Sequence, residues 1–292
     1  RLASRNFGEK TGRIAGVIAM LFPSLIYYTG LHVKETEMVF LVTLFADRAD
    51  LLLRSRNLKP GLLLIVVGLG VSMYFFRAVL AYSLVFSMVL AIFFSRTKIF
   101  RARKKLALLI SALLLALFLS GSYIITEAFD YWDARTSNQE VSLEMRAQTN
   151  TFSRYASGAV FAPFIIIAPF PTFVNIEGQQ NHMLLSGAFF IKNIMAFFVV
   201  IALLSLIKNQ LWRKHVFIVS ILATYLAIPS LSKFAIVERF HMPALPFHIM
   251  FQAFGISLLA RKHKKYFKWY IIGRALLVFG WNWIKLSGRG LV

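Results

Sequence analysis

The sequence predicts an all-α fold, a polytopic transmembrane bundle of about nine spans. Of its 292 residues, 58% are hydrophobic and 15% are charged, which is more apolar surface than one soluble core can bury. The apolar runs are continuous and reach about 20 residues, the length of helix that crosses a bilayer. Membrane-spanning strands would instead alternate in character over about ten residues. The expected first partner is therefore the lipid bilayer.

Nine apolar segments match the length of a crossing, and we treat residues 1–292 as a single transmembrane domain. The predicted spans are 14–31, 38–53, 61–76, 78–95, 105–124, 187–207, 215–231, 243–260 and 269–284. The apolar stretch Gly61–Phe94 is too long for one crossing, so the sequence predicts a tight helical hairpin with Arg77 at its turn.

Charge places the two ends of these spans on opposite sides of the membrane. The segments 1–13, 54–59, 96–105, 208–214 and 261–268 hold 21 of the 33 Lys and Arg residues, which predicts that they are cytoplasmic. The opposite loops hold nine of the twelve acids, and Lys192 is assigned to them. We expect a multi-pass protein of the bacterial cytoplasmic (inner) membrane with an extracytoplasmic functional face.

Residues 125–186 interrupt the regular succession of spans. The basic segments 96–105 and 208–214 on either side are both predicted to be cytoplasmic, so residues 121 and 192, one span away from each, must both lie outside. An even number of crossings must therefore separate these two residues, and we choose zero. The stretch 161–173 carries three prolines and is too short to span, so it is predicted to be interfacial or re-entrant. The region 125–186 is therefore predicted to be an external loop.

Composition excludes several classes of function. The net charge of +21 comes from basic residues in short runs between apolar stretches rather than from a basic soluble face, so no nucleic-acid partner is expected. With no cysteine, the chain has no disulfide, thiol catalyst or Cys-ligated zinc. The phosphate-loop and hydrolase motifs of soluble enzymes are also absent.

The turn between the first two predicted spans is the first candidate site. Lys34 is a candidate ligand for phosphate, with Glu35 beside it as an orienting or catalytic acid. The alternative is a solvated turn in which Glu35 and Glu37 favour the positive end of the helix dipole.

Arg77 is the second candidate. An Arg at a membrane boundary is by default a functional hypothesis, since its planar donors can engage two phosphate oxygens together. The alternative is a side chain that snorkels to lipid headgroups.

The third candidate is the segment 233–246, which carries Glu238, Arg239 and His241 at the outer mouth of a late span. His241 and His248 lie seven residues apart with no third ligand at useful spacing, so no metal site is predicted there.

Glu127, Asp130 and Asp133 recur at three-residue intervals and would share one helix face. They could bind a divalent cation or supply a general base, although an external amphipathic helix has the same pattern and is favoured. No cofactor is predicted, and a divalent cation remains open.

Three segments resemble family 39-type membrane glycosyltransferases. They are the opening stretch RLASRNFGEKTGRIAGVIAMLFPSLIYYTGLHVKETEMVFL, the FFRA of Phe75–Ala78, and the ERFHMPALPF of Glu238–Phe247. The resemblance implies a GT-C fold and transfer of a sugar from a polyprenyl-phosphate donor to a glycan, lipid or protein acceptor outside the cytoplasm. It also implies that Lys34, Arg77 and Arg239 hold the lipid phosphate, while Glu35 and His241 line the sugar site.

The catalytic acid of that family lies in a loop between its first two spans, and this sequence resembles the family only after that loop. The chain is therefore expected to be N-terminally incomplete, with its catalytic residue unknown. Glu35, Asp130 and Asp133 are the candidates to replace it.

Two other functions compete with sugar transfer. A polysaccharide polymerase or ligase would also use external Arg residues on a lipid diphosphate, with 125–186 as its long loop. A transporter or flippase would carry ionisable groups at mid-membrane in discontinuous helices, and neither is evident. Asp47 and Asp50 come nearest, but with Arg48 and Arg54 adjacent they are interpreted as a solvated helix end.

Overall fold

The described part of the chain is built from helices, which confirms the all-α class there. A computed structural model describes residues 1–31, 33–55, 59–94, 182–231, 238–259 and 261–287. Ten α-helices fall in these ranges: α1 Leu2–Phe7, α2 Glu9–Leu21, α3 Pro23–Gly30, α4 Lys34–Arg54, α5 Pro60–Phe76, α6 Ala78–Phe94, α7 His182–Lys208, α8 Val216–Leu231, α9 Leu245–Ser257 and α10 Arg261–Ser287. Two 3₁₀ segments, Leu211–Arg213 and Glu238–Ala244, precede α8 and α9.

The first predicted span is two helices with a bend between them. Helix α2 ends at Leu21, Phe22 adopts an extended conformation, and α3 begins with Pro23 at its first turn. Proline has no N–H to donate to the preceding turn, so the helix restarts there at an angle of 51°. The buried Phe22 anchors this corner in the core.

The predicted break at Arg77 is confirmed. Helix α5 ends at Phe76, and Arg77 is extended, with φ −165° and ψ 104°. Its N–H donates to the Met73 carbonyl at 2.9 Å, while its own carbonyl accepts from Leu80 N–H at 2.9 Å. The backbone N–H of Arg77 therefore makes the last hydrogen bond of α5, and its carbonyl accepts a hydrogen bond from the first turn of α6. The two helices pack against each other.

Helices α7 and α9 form a close contact in the centre of the bundle. A Cβ atom at Gly255 would overlap the backbone carbonyl of Phe198, so only glycine allows the two backbones to approach this far. Helix α9 is buried along most of its length and also packs against α2.

The prediction of nine crossings is wrong for the described residues. There, one helix segment, Gly187–Lys208, is long and apolar enough to cross a membrane, or two such spans exist if bent α2 and α3 count as one. Helices α5, α6 and α8 are apolar but have apolar segments of only 17 residues or fewer. The predicted span 243–260 begins in the 3₁₀ segment Glu238–Ala244, and helix α9 after it has only 13 residues. Charges lower the hydropathy of α4 and α10. The predicted span 105–124 and the loop up to residue 181 lie outside the described ranges.

Helix α4 connects two polar regions of the bundle. It has 21 residues, which corresponds to about 30 Å of helix. Its first turn carries Lys34 and Glu35, and its last turn carries Asp50 and Arg54.

Candidate functional site

The first turn of α4 separates its two candidate residues. Glu35 is buried, with 5% of its surface exposed, whereas Lys34 and Glu37 are exposed. Neighbouring positions on a helix differ by about 100°, so these side chains cannot share a direction. The structure therefore places Glu35 in the interior and Lys34 at the surface.

Glu35 and Arg77 both face Tyr225 of α8. The Arg77 guanidinium donates a hydrogen bond to the Tyr225 hydroxyl, and the Glu35 carboxylate lies within electrostatic range of the same hydroxyl. Tyr225 is buried, with 4% of its surface exposed. We call Glu35, Arg77 and Tyr225 the outer cluster. Two of its members were predicted from the sequence, but Tyr225 was not, because a tyrosine in an apolar helix carries no distinguishing pattern.

The segment Glu238–Ala244 packs on α4, α8 and α9, so it adjoins the elements of the outer cluster. Its His241 is buried, with 7% of its surface exposed. Glu238 and Arg239 lie in the same 3₁₀ segment. The three candidate sites predicted from the sequence are therefore on α4 or on elements next to it: Glu35 lies on α4, Arg77 follows α5, which contacts α4, and the segment Glu238–Ala244 packs on α4.

Asp130 and Asp133, together with Glu127 and the predicted loop 125–186 up to residue 181, lie outside the described residues. The roles predicted for these carboxylates remain predictions.

A second polar cluster lies between α7 and α9. The buried Lys192 is in electrostatic contact with His248, whose Nδ1 lies 3.0 Å from Nε2 of Gln252. Lys192, His248 and Gln252 expose 3%, 5% and 0% of their surfaces. The assignment of Lys192 to an external loop was wrong, because α7 begins at His182 and takes Lys192 inside the helix.

On the same stretch of α7, Asn193 connects to α10. Its backbone carbonyl accepts a hydrogen bond from the Tyr270 hydroxyl, and its side-chain oxygen accepts one from Arg274 at 3.3 Å. Among the described residues, His248 Nε2 and Gln252 Oε1 are buried atoms that make no hydrogen bond. The middle of α7 is therefore a polar stretch inside an otherwise apolar helix.

The far end of α4 carries an ion-pair network that sequence reasoning missed. Arg5 of α1 lies 2.7 Å from Asp47 and 3.1 Å from Asp50, and Arg54 lies 2.9 Å from Asp50. The Asp50 side chain is only 6% exposed. The interpretation of Asp47 and Asp50 as a solvated helix end was wrong, because α1 folds over them. Their spacing with Arg54, on one face of α4, was the available signal.

Asn6 and His215 also belong to this network of Arg5, Asp47, Asp50 and Arg54, which we call the inner network. Asn6 Oδ1 accepts from Arg54 at 2.8 Å and lies 3.1 Å from Nδ1 of His215, while its Nδ2 donates to Asp50 at 3.3 Å. Burial, followed by the nearby cations Lys214 and Arg54, lowers the pKa of His215 to about 4. His215 is therefore neutral at neutral pH, with Nδ1–H as the donor to Asn6.

Within the ranges that the structure describes, no group of three or more His, Asp or Glu side chains is arranged to hold a metal ion. The outer cluster instead offers a guanidinium, a phenol and a carboxylate, which suit an anionic or hydroxyl-bearing ligand. The chain matches no protein-family model, no curated protein and no solved structure.

Proposed function

We propose that the chain is an integral membrane glycosyltransferase that moves a sugar from a polyprenyl-phosphate donor to a glycan, lipid or protein acceptor. The proposed location is the bacterial cytoplasmic membrane, with the outer cluster at the extracytoplasmic face. This proposal extends the resemblance of the opening stretch, Phe75–Ala78 and Glu238–Phe247 to family 39-type enzymes and its implied GT-C fold.

Membrane embedding is supported by a distribution of polarity opposite to that of a soluble protein, with apolar side chains at the surface and polar ones inside. Met20, Leu64 and Phe75 expose 76%, 72% and 81% of their surfaces, whereas Lys192 and Gln252 are buried. Water disfavours such large apolar side chains on a surface, but lipid tails do not, and polar groups in a bilayer face the protein interior. The exposed apolar side chains lie on α2, α5, α6, α7 and α10, among other helices.

The observation that carries the proposal is the hydrogen bond between Arg77 and Tyr225 beside Glu35. Tyr225 positions the guanidinium at the boundary between α5 and α6, and a planar guanidinium is suited to binding a phosphate. A positively charged group at that position stabilises the phosphate that leaves as the sugar is transferred. Lys34 and Arg239, on neighbouring elements, are proposed as further phosphate ligands.

Sugar transfer also needs a base that takes the proton of the acceptor hydroxyl. Of the acids in the outer cluster and the first turn of α4, Glu35 is the buried one. We propose Glu35 as the base within this chain or as a ligand of the sugar. His241 and Glu238 are proposed to line the sugar site from the 3₁₀ segment.

Binding of polyprenyl phosphate tests the phosphate site directly. The protein is reconstituted into phosphatidylcholine nanodiscs, and its affinity for polyprenyl phosphate is compared with that for polyprenol. Arg77→Ala should weaken binding of the phosphate about tenfold or more and leave binding of the alcohol unchanged. The control is Arg13→Ala, since Arg13 is exposed and pairs with Glu9.

Equal affinities of wild-type protein and Arg77→Ala for polyprenyl phosphate would refute the phosphate site. Tyr225→Phe removes only the hydroxyl that positions Arg77, and we expect a smaller loss of affinity of a few-fold. Transfer of sugar from polyprenyl-phosphate donors, lost in Glu35→Gln with donor binding retained, would identify Glu35 as the base.

A lipid-linked sugar transporter or flippase is the second candidate, and one observation favours it. Lys192 and His248 are ionisable groups buried within α7 and in the first turn of α9, and α2 and α3 form a broken helix. Both features are typical of transporters. The matched variants Lys192→Met and Arg77→Ala separate the two functions. Loss of fluorescent lipid-linked sugar translocation in Lys192→Met, with sugar transfer absent from wild-type protein, would favour the transporter.

A further inference from the structure

Helix α10 presents two different faces along its length. Phe267, Tyr270 and Arg274 contact α7 through Phe197 and Asn193, and Val278 and Asn282 are buried farther along. The opposite side is exposed. Trp269, Leu276, Phe279 and Trp283 expose 64%, 68%, 65% and 61% of their surfaces. These four residues follow the three-to-four-residue spacing of one helix face, and we call them the apolar stripe.

The N-terminal end of α10 is basic: Lys265 and Lys268 lie on the face of these four residues, and Lys264 lies on the adjacent side of the helix. Lys264, Lys265 and Lys268 are exposed there. Lys265 and Lys268 lie one helical turn before Trp269 and Ile272, so the positive charge continues directly into the apolar stripe. We call the three lysines, with the four exposed aromatic and aliphatic residues above, the basic-apolar face.

The stripe has the dimensions of one bilayer leaflet with part of the next. From Lys268 to Trp283 are 15 residue steps, about 22 Å of helix. Trp269 near the lysines and Trp283 at the far end are side chains that favour the membrane interface, and they flank the aliphatic middle of the stripe. Lysine stems can extend along apolar surface while their ammonium groups reach the headgroups.

We infer that the basic-apolar face of α10 is a binding surface for anionic phospholipid, with Lys264, Lys265 and Lys268 on the headgroup phosphate and the stripe along its acyl chains. The inference rests on the membrane embedding in the proposed function. Charge complementarity favours an anionic lipid over a neutral one, since each basic side chain near an anionic surface adds electrostatic attraction. The apolar stripe favours an intact lipid over free phosphate.

Reconstituted protein tests this inference. Thermal unfolding is followed in nanodiscs of phosphatidylcholine and in nanodiscs containing phosphatidylglycerol, and the lipid that remains bound after transfer to detergent is identified by mass spectrometry. Wild-type protein should be stabilised by several degrees in phosphatidylglycerol and should retain it preferentially. The variant K264Q/K265Q/K268Q should lose several-fold of that preference.

Two matched variants separate lipid binding from general charge. K10Q/K208Q/K214Q removes the same number of exposed lysines from other elements and should keep the preference. K264R/K265R/K268R keeps the charge and should also keep it. Retention of full preference by the Gln variant of α10, or its equal loss in the control triple variant, would overturn the inference.

Two further measurements complete the test. Unchanged unfolding of K264Q/K265Q/K268Q in phosphatidylcholine shows that the variant folds. If soluble glycerol phosphate stabilises wild-type protein as much as phosphatidylglycerol does, the lipid assignment is wrong. If the protein inserts stably into membranes but shows no preference for phosphatidylglycerol, the lipid-binding surface on α10 is refuted and the proposed function is not. If the protein fails to associate with vesicles of either composition, the membrane embedding in the proposed function is refuted.

Discussion

Arg5 Nη1 lies 3.1 Å from Asp50 Oδ2, which joins helix α1 to the last turn of α4 across 45 positions of sequence. Asp50 also accepts hydrogen bonds from Arg54 and Asn6. A carboxylate with this many donors is stable in the interior only while they remain. Helix α1 has six residues, too few for a stable isolated helix, so these contacts hold it in place.

Loss of Arg5 should therefore destabilise the fold. Arg5→Ala leaves Asp50 buried with less compensation, and we expect unfolding to become easier by about 3 kcal/mol. Chemical unfolding in detergent, followed by circular dichroism, measures the change. Arg13→Ala removes an ion pair whose partners are 80% and 68% exposed, and it should change stability by less than about 0.5 kcal/mol. Equal effects of the two variants would contradict the importance of the inner network.

The contact of α7 with α9 predicts a strong effect at Gly255. In Gly255→Ala the new methyl group meets the Phe198 backbone carbonyl, which cannot move aside as a flexible side chain would. We expect a loss of at least about 2 kcal/mol and lower expression.

Gly273→Ala is the matched control, since nothing lies within 4 Å of its Cβ position in helix α10. Alanine favours helix over glycine by about 1 kcal/mol, so this variant should be neutral or stabilising. A stable Gly255→Ala protein would show that the two helices can separate without penalty.

The neutral state of His215 predicts that stability decreases in mild acid. The pKa is about 4 in the folded protein and about 6.5 in the unfolded chain. Between these values the unfolded chain binds the proton and the folded protein does not, so stability is lost as pH falls from about 6.5 to 4. The loss from this group approaches about 3 kcal/mol.

Unfolding measured across this pH range checks the prediction, with His215→Gln as the comparison. The variant has no titrating ring, so its stability should depend less on pH between 4 and 6.5, the two pKa values involved. An identical pH dependence of variant and wild-type protein would show that another group is responsible.

Phe7 joins the inner network to the core. Its ring stacks on Phe254 with centroids 4.5 Å apart and contacts His215 at 4.7 Å. Phe7→Ala should cost about 3 kcal/mol of stability in detergent. Phe75→Ala, at a ring that is 81% exposed, should change stability there by less than about 0.5 kcal/mol.

Helix positions were largely predictable because hydrophobic runs and proline are local signals. The predicted span 61–76 corresponds to α5, Pro60–Phe76, and the break at Arg77 follows from one charge in a long apolar run. The number of candidate spans was less predictable, since hydropathy alone does not reveal the bend at Phe22 or the 3₁₀ segment before α9. Lys192 was misplaced because its charge, near the start of the predicted span 187–207, was assigned to an outer loop, whereas the structure buries it inside α7.

The sequence alone determined that the chain forms apolar helices with a break at Arg77, because side-chain hydrophobicity and a charge in an apolar run are local signals. Only the tertiary structure decided which polar groups meet: Arg77 with Tyr225 in the outer cluster, Arg5 with Asp50, and Asn6 with His215 across 209 positions. Such pairs depend on how helices pack, and no spacing within one helix encodes the angle at which another crosses it.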